Sequence, residues 1–94
     1  MEKGRYPNSL RSFRRKNMYS QKKVARLLGF QTTSTLSRWE RGVTVPPLMQ
    51  VFRLARLYHS EPHELFPDLW EDIRTETSLV AQHEQFDSNN PLYL

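Results

Sequence analysis

SQKKVARLLGFQTTSTLSRWERG, residues 20–42, is the stretch that decides how this chain folds. Ser20 is suited to cap a helix over Gln21–Leu28, because its hydroxyl can accept from amides that the first turn leaves unpaired. Val24, Leu27 and Leu28 give that helix one apolar face. Gly29 ends it, since the residue after a helix usually turns left-handed, a conformation that glycine adopts at little cost. Phe30–Thr32 then reads as a turn. The hydroxyl of Thr32 or Thr33 can cap a further helix to about Arg41, with Leu36 and Trp39 inward and Gly42 as its stop. Two short helices joined by a glycine-containing turn can cross at about 90–120°. Such a crossing needs a small residue where the axes come closest, and Ala25 meets that need. Thr33, Ser34, Ser37 and Arg38 are left facing outward.

Working outward, Asn8 or Ser9 can cap a first helix over Ser9 to about Asn17, and Met18-Tyr19 connects it to Ser20. Downstream, Val43–Val45 is a loop and Pro46-Pro47 opens a fourth helix. There Leu48, Val51, Phe52, Leu54, Ala55 and Tyr58 form a wide apolar stripe, the mark of a core helix. Pro62 starts a short fifth helix through Leu65 and Phe66. From Pro67 the composition turns acidic. Leu69, Trp70, Ile73, Thr77 and Val80 keep helical spacing, which predicts a sixth helix from Asp68 to about Gln85, and Asp87–Pro91 reads as a turn or frayed end. Strand signal is almost absent. The expectation is an all-α fold with a compact domain over 1–66 and an acidic helix or tail over 67–94.

Ninety-four residues make about one domain, and the absence of cysteine removes disulfides and thiolate metal sites as supports. No apolar run approaches the roughly 20 residues of a membrane span, and the polar, basic start carries no signal-peptide pattern. A soluble, cytoplasmic protein is therefore expected. Charge is strongly segregated. Residues 1–60 carry thirteen Lys/Arg against Glu2 and Glu40, a net +11, while residues 61–94 carry Arg74 against eight acids, a net −7. A surface so basic repels itself, and a polyanion would relieve the repulsion while releasing counterions.

The segments LRSFRRKNMYSQKKVARLLG, TLSRWERG and PPLMQVFRLARLYHSEPHELF together resemble the lambda-repressor/Cro-like (Xre-type) helix-turn-helix regulators over about residues 9–66. The serine-glutamine start, the Ala25/Gly29 pair, the ERG end and the trailing Leu-Phe carry the resemblance. One departure is visible: FQTTST holds one residue more than the usual pattern between Gly29 and Glu40, which shifts the alignment of Gln31, Thr32 and Thr33. The resemblance implies a five-helix, major-groove DNA-binding domain, to which the C-terminal helix or tail from Pro67 is an addition. It implies base reading by Thr33, Ser34, Ser37 and Arg38. It implies phosphate contact from Ser20, Gln21, Thr32, Arg41 and Thr44, while Lys22 and Lys23, by their place near the start of the second helix, can add phosphate charge. Arg14 and Glu40 align with a structural pair bridging the first and third helices, beside Ala25, Gly29, Leu36 and Trp39. Double-stranded DNA is the implied partner, with no cofactor and no metal.

Three other readings compete with this one. Catalysis lacks a nucleophile arrangement, and Pro62 separates His59 from His63 across a helix start, so the pair cannot share a helical face as a metal motif would. RNA binding would call for exposed aromatic platforms. A protein-interaction module of antitoxin or adaptor type could keep the fold without reading bases, but its recognition face would lack the hydroxyls and Arg38 found here. The tail is a candidate homodimer segment, with Leu69, Trp70, Ile73 and Val80 as its seam; the same residues are equally suited to fold back over the first and fifth helices.

Overall fold

The computed structural model describes residues 4–84. It holds five α-helices and one 3-10 turn, with no strand among the described residues: α1 Leu10–Lys16, α2 Gln21–Leu27, α3 Ser34–Glu40, α4 Leu48–Leu57, the 3-10 turn Pro62–Leu65, and α5 Pro67–Glu84. The expected fifth helix is this 3-10 turn. It is closed by a reciprocal box in which Glu61 and Glu64 accept from each other's backbone amides. The expected turn at Asp87–Pro91 lies outside the described residues.

Leu10, Val24, Leu36, Trp39, Leu54, Ala55, Tyr58 and Leu65 form one core drawn from α1 to α4 and the 3-10 turn. The chain closes on itself through polar staples. The Ser9 amide donates to the Leu65 carbonyl (2.9 Å), and Asn17 Nδ2 donates to the Tyr58 carbonyl (3.1 Å). α4 corrects the sequence reading. Val51, Leu54, Ala55 and Tyr58 do turn inward, but Leu48 and Phe52 remain 67% and 46% exposed. A helix of ten residues packed on one side cannot bury so wide a stripe. Leu27 is likewise 51% exposed, with Ala25 taking the inward place on α2.

All of α1–α4 stop in the same way. After each C-cap comes a left-handed residue: Met18 (φ 61°), Gly29 (83°), Gly42 (74°) and His59 (54°). The amide that follows it reaches back five residues, from Tyr19 to Arg14, Phe30 to Ala25, Val43 to Arg38 and Ser60 to Ala55. This is the Schellman closure. Two of the four use residues for which a left-handed backbone costs about 1–2 kcal/mol. Met18 and His59 are both exposed, so little packing is lost by trimming them. Met18→Gly and His59→Gly are each expected to stabilise the fold by about 1 kcal/mol. Thermal melts should then rise by about 4 °C per substitution; unchanged or lower melting would reject the prediction.

α5 is different in kind. Its start packs beside the 3-10 turn and the α3–α4 loop, but every residue from Glu71 to Gln82 is exposed. It accounts for the elongated outline of 53 × 29 × 22 Å.

Candidate nucleic-acid interface

α3 presents two unlike sides. Leu36 and Trp39 are buried, and Phe30 meets the Trp39 indole edge-on at 5.7 Å between ring centroids. Opposite them, Ser34, Ser37, Arg38 and Arg41 recur at the three-and-four spacing that lines one helical face. Ser34 and Arg41 are exposed, while Ser37 and Arg38 are half-buried. α5 packs elsewhere, on the 3-10 turn and the loop after α3.

The start of α3 is weakly capped. Thr33 holds the N-cap position without a side-chain bond, and Thr32 Oγ1 accepts from the Ser34 amide at a long 3.4 Å. The hydroxyl of Thr33 is therefore not spent on capping. Beside it, Lys22, Thr32 and Thr33 border a cleft of about 170 Å³ together with Arg26 and Phe30. At α2 the expected cap is present: the Lys23 amide donates to Ser20 Oγ at 3.0 Å.

The far end of α3 is held from three directions. Asn8 Nδ2 donates to the Trp39 carbonyl (2.8 Å) while Asn8 Oδ1 accepts from the Leu10 amide (3.0 Å), so one side chain joins the start of α1 to the end of α3. The Arg5 and Tyr6 amides both donate to the Gly42 carbonyl (2.9 and 3.0 Å). Gly42 is required twice over: its φ is positive, and an added Cβ would sit 2.6 Å from the Tyr6 carbonyl oxygen. Gly29 meets no such obstruction and is required only for its φ.

The third hold is the pair that the sequence comparison anticipates. Arg14 Nε and Nη2 donate to the two oxygens of Glu40 (2.6 and 3.2 Å), and Arg14 Nη1 donates to the Tyr19 carbonyl (2.9 Å). Gln21 Nε2 adds a third donor to Glu40 (2.9 Å). Both charged side chains are almost wholly covered, at 9% and 2% exposure. The hydrogen-bonded Glu40 carboxylate holds the Arg14 guanidinium above its ordinary range, although burial alone would lower it. Nearby, burial pushes the Tyr58 phenol up, with Glu40 adding to the shift and Arg14 opposing it.

Over this pair opens a groove of about 500 Å³ whose rim carries Arg11, Ser20, Gln21, Ser37 and Arg41. The structure thus gathers the expected residues at two places. Lys22, Thr32 and Thr33 lie at the start of α3, and Ser20, Gln21, Ser37 and Arg41 at its end. Lys23 is exposed outside both clefts, and Thr44 is half-buried in the loop that follows. Gln21 is partly committed, because one of its amide hydrogens goes to Glu40. Arg11 is an addition. In the sequence it is one of several arginines of α1, and only the packing of α1 beside α2 and α3 brings it to the rim.

A family model described as helix-turn-helix matches residues 10–65. The chain belongs to the lambda-repressor/Xre-like helix-turn-helix family. Within that family α2 and α3 are the paired helices, and the domain is a DNA-binding one. No curated protein and no solved structure matches the chain. No helix among the described residues is long and apolar enough to cross a membrane.

Proposed function

We propose that this helix-turn-helix domain reads a specific double-stranded DNA sequence by laying α3 in the major groove, and that the protein is a cytoplasmic, repressor-like transcription regulator. The observation that carries the reading is the outer face of α3. Hydroxyls and guanidinium groups follow one another along it, with a rigid Leu36/Trp39 underside to hold them. Ser34, Ser37, Arg38 and Thr33 are the base readers in this proposal. Arginine's fork matches the O6 and N7 edge of guanine, while the hydroxyls can donate or accept.

Phosphates on either side of the groove fall to Lys22 and Thr32 at one end of α3, with the exposed Lys23 of α2 as a further contact. At the other end they fall to Ser20, Gln21, Arg41, Thr44 and Arg11. These contacts fix register without reading sequence. Residues 1–66 act as the reading domain in this proposal, and 67–94 as a homodimer segment that brings two domains to successive half-sites about one helical turn apart.

Arg38→Ala tests the assignment. Binding-site selection should show lost preference at one base position, and gel shifts on the selected site should weaken by about 1–3 kcal/mol. A loss of equal size on every sequence would make Arg38 a phosphate contact. No loss on any sequence would remove it from the interface.

A further inference from the structure

We propose that the cleft between α2 and the turn after it seats one backbone phosphate of the duplex, with Lys22 and Arg26 as its cations and Gln31 as a donor from the opposite wall. The inference rests on the DNA reading above. It adds Arg26 and Gln31 to the phosphate that Lys22 and Thr32 already face, and it gives the extra residue of the turn a task.

The cleft is small, about 170 Å³, and its walls differ. Lys22 and Arg26, one helical turn apart on α2, form one wall, and Gln31, Thr32 and Thr33 form the other. The more covered Ala25 and Phe30 lie between them. Three consecutive bends at 31–33 carry the chain away from α2 before α3 begins at Ser34. The added residue lets this stretch stand as a wall of its own, and Phe30, edge-on to Trp39, fixes its root.

Electrostatics choose the occupant. Lys22 and Arg26 are exposed, and neither makes an ion pair or side-chain hydrogen bond among the described residues. Like charges four positions apart on a helix repel each other. Between residues 4 and 60 the sequence has one acid, Glu40, and it is covered and committed to Arg14 and Gln21. The counter-charge must then come from outside the domain. A phosphodiester suits these donors, since its charge answers the two cations and its free oxygens can accept from the Gln31 amide. The Thr32 hydroxyl accepts from the Ser34 amide only at 3.4 Å and keeps its proton to donate. A base edge is neutral and would leave both cations unanswered. Because the cleft adjoins Thr33 and Ser34, a phosphate held there fixes the register of α3 beside the bases those residues read.

A methylphosphonate scan tests the assignment. Each phosphate of the tightest-binding duplex is replaced in turn by the uncharged methylphosphonate. Affinities are measured by fluorescence anisotropy for the unaltered protein, Arg26→Ala and Gln31→Ala, with circular dichroism as the check on folding. For the unaltered protein, one replacement per half-site should weaken binding roughly tenfold, the loss of a hydrogen bond to a charged group. Arg26→Ala should lose a similar factor on every sequence, and the same replacement should then cost it roughly threefold or less, because the two changes remove one contact. Gln31→Ala should couple to that same phosphate. Arg26→Ala binding as tightly as the unaltered protein, or staying fully sensitive at every phosphate, would overturn the inference. A Gln31→Ala loss confined to one base pair would overturn the part given to Gln31. Sequence-selective binding with no coupled phosphate removes this inference alone. Coupling without sequence preference removes only the functional reading, and no DNA binding at all removes both.

Discussion

Raising salt from 50 to 200 mM is expected to weaken binding to a two-half-site duplex by about four decades. Arg11 and Arg41 border the cleft at one end of α3 and Lys22 the cleft at the other; with the exposed Lys23 as the fourth proposed contact, two subunits would set eight cations against phosphates. Each neutralised phosphate releases counterions and contributes about −0.9 to the slope of log affinity against log salt, which gives a slope of about −7. A single domain with four contacts would give about −3.6, or about two decades over the same range. The slope therefore reports stoichiometry as well as mechanism. Fluorescence anisotropy across a salt series measures it. A flat response would leave the protein-interaction reading in possession, because that reading asks nothing of phosphates. Arg11→Ala should weaken all sequences alike and make the slope shallower by about one unit per subunit.

The second large effect concerns folding. Glu40→Ala removes the acceptor of three hydrogen bonds and leaves the Arg14 guanidinium buried with only the Tyr19 carbonyl. Breaking one side of a covered ion pair costs about 3–5 kcal/mol, a large share of the roughly 5–15 kcal/mol that holds a domain together. Urea unfolding should show the midpoint falling accordingly. Arg14→Met combined with Glu40→Leu should recover much of the loss, because replacing both partners leaves no stranded charge. A cost below about 1 kcal/mol for Glu40→Ala would mean that the pair behaves as a surface bridge despite its burial.

The parts of this architecture that were legible in the sequence are those governed by local chemistry. Ser20 announces its cap, Gly29 and Gly42 announce left-handed stops, and Leu36 with Trp39 announces an inward side. Each of these signals depends on only a few neighbouring positions. The stops at Met18 and His59 carry no glycine, so nothing local distinguishes them from ordinary helical or loop residues. Asn8 reads as a possible helix cap; Ser9 takes the N-cap position and Asn8 Oδ1 accepts the Leu10 amide just inside it, but the bond of Asn8 to the Trp39 carbonyl spans thirty-one positions and has no trace in its neighbours. The same reason hides Arg11, whose place at the rim depends on how three helices pack. On α4 the periodicity correctly finds the inward side but overstates its width, because the apolar pattern does not separate residues meant for the core from Leu48 and Phe52 beyond it. The fold and its two paired helices were thus readable; of the contacts assembled across elements, the Arg14–Glu40 pair came with the family resemblance, whereas those of Asn8 and Arg11 required coordinates.

Under the proposed DNA-reading role, the bracing of α3 at its far end has a consequence for how operators are chosen. With Trp39, Glu40 and Gly42 tied to α1, α2 and the N-terminal arm, this domain has little freedom to re-aim its reading head on meeting a poor fit. The duplex must then do the yielding. Base pairs that no side chain touches will matter through their stiffness, since supple pyrimidine–purine steps adjust cheaply and rigid A-tracts do not. Between half-sites, selection should accordingly favour sequences for how they bend.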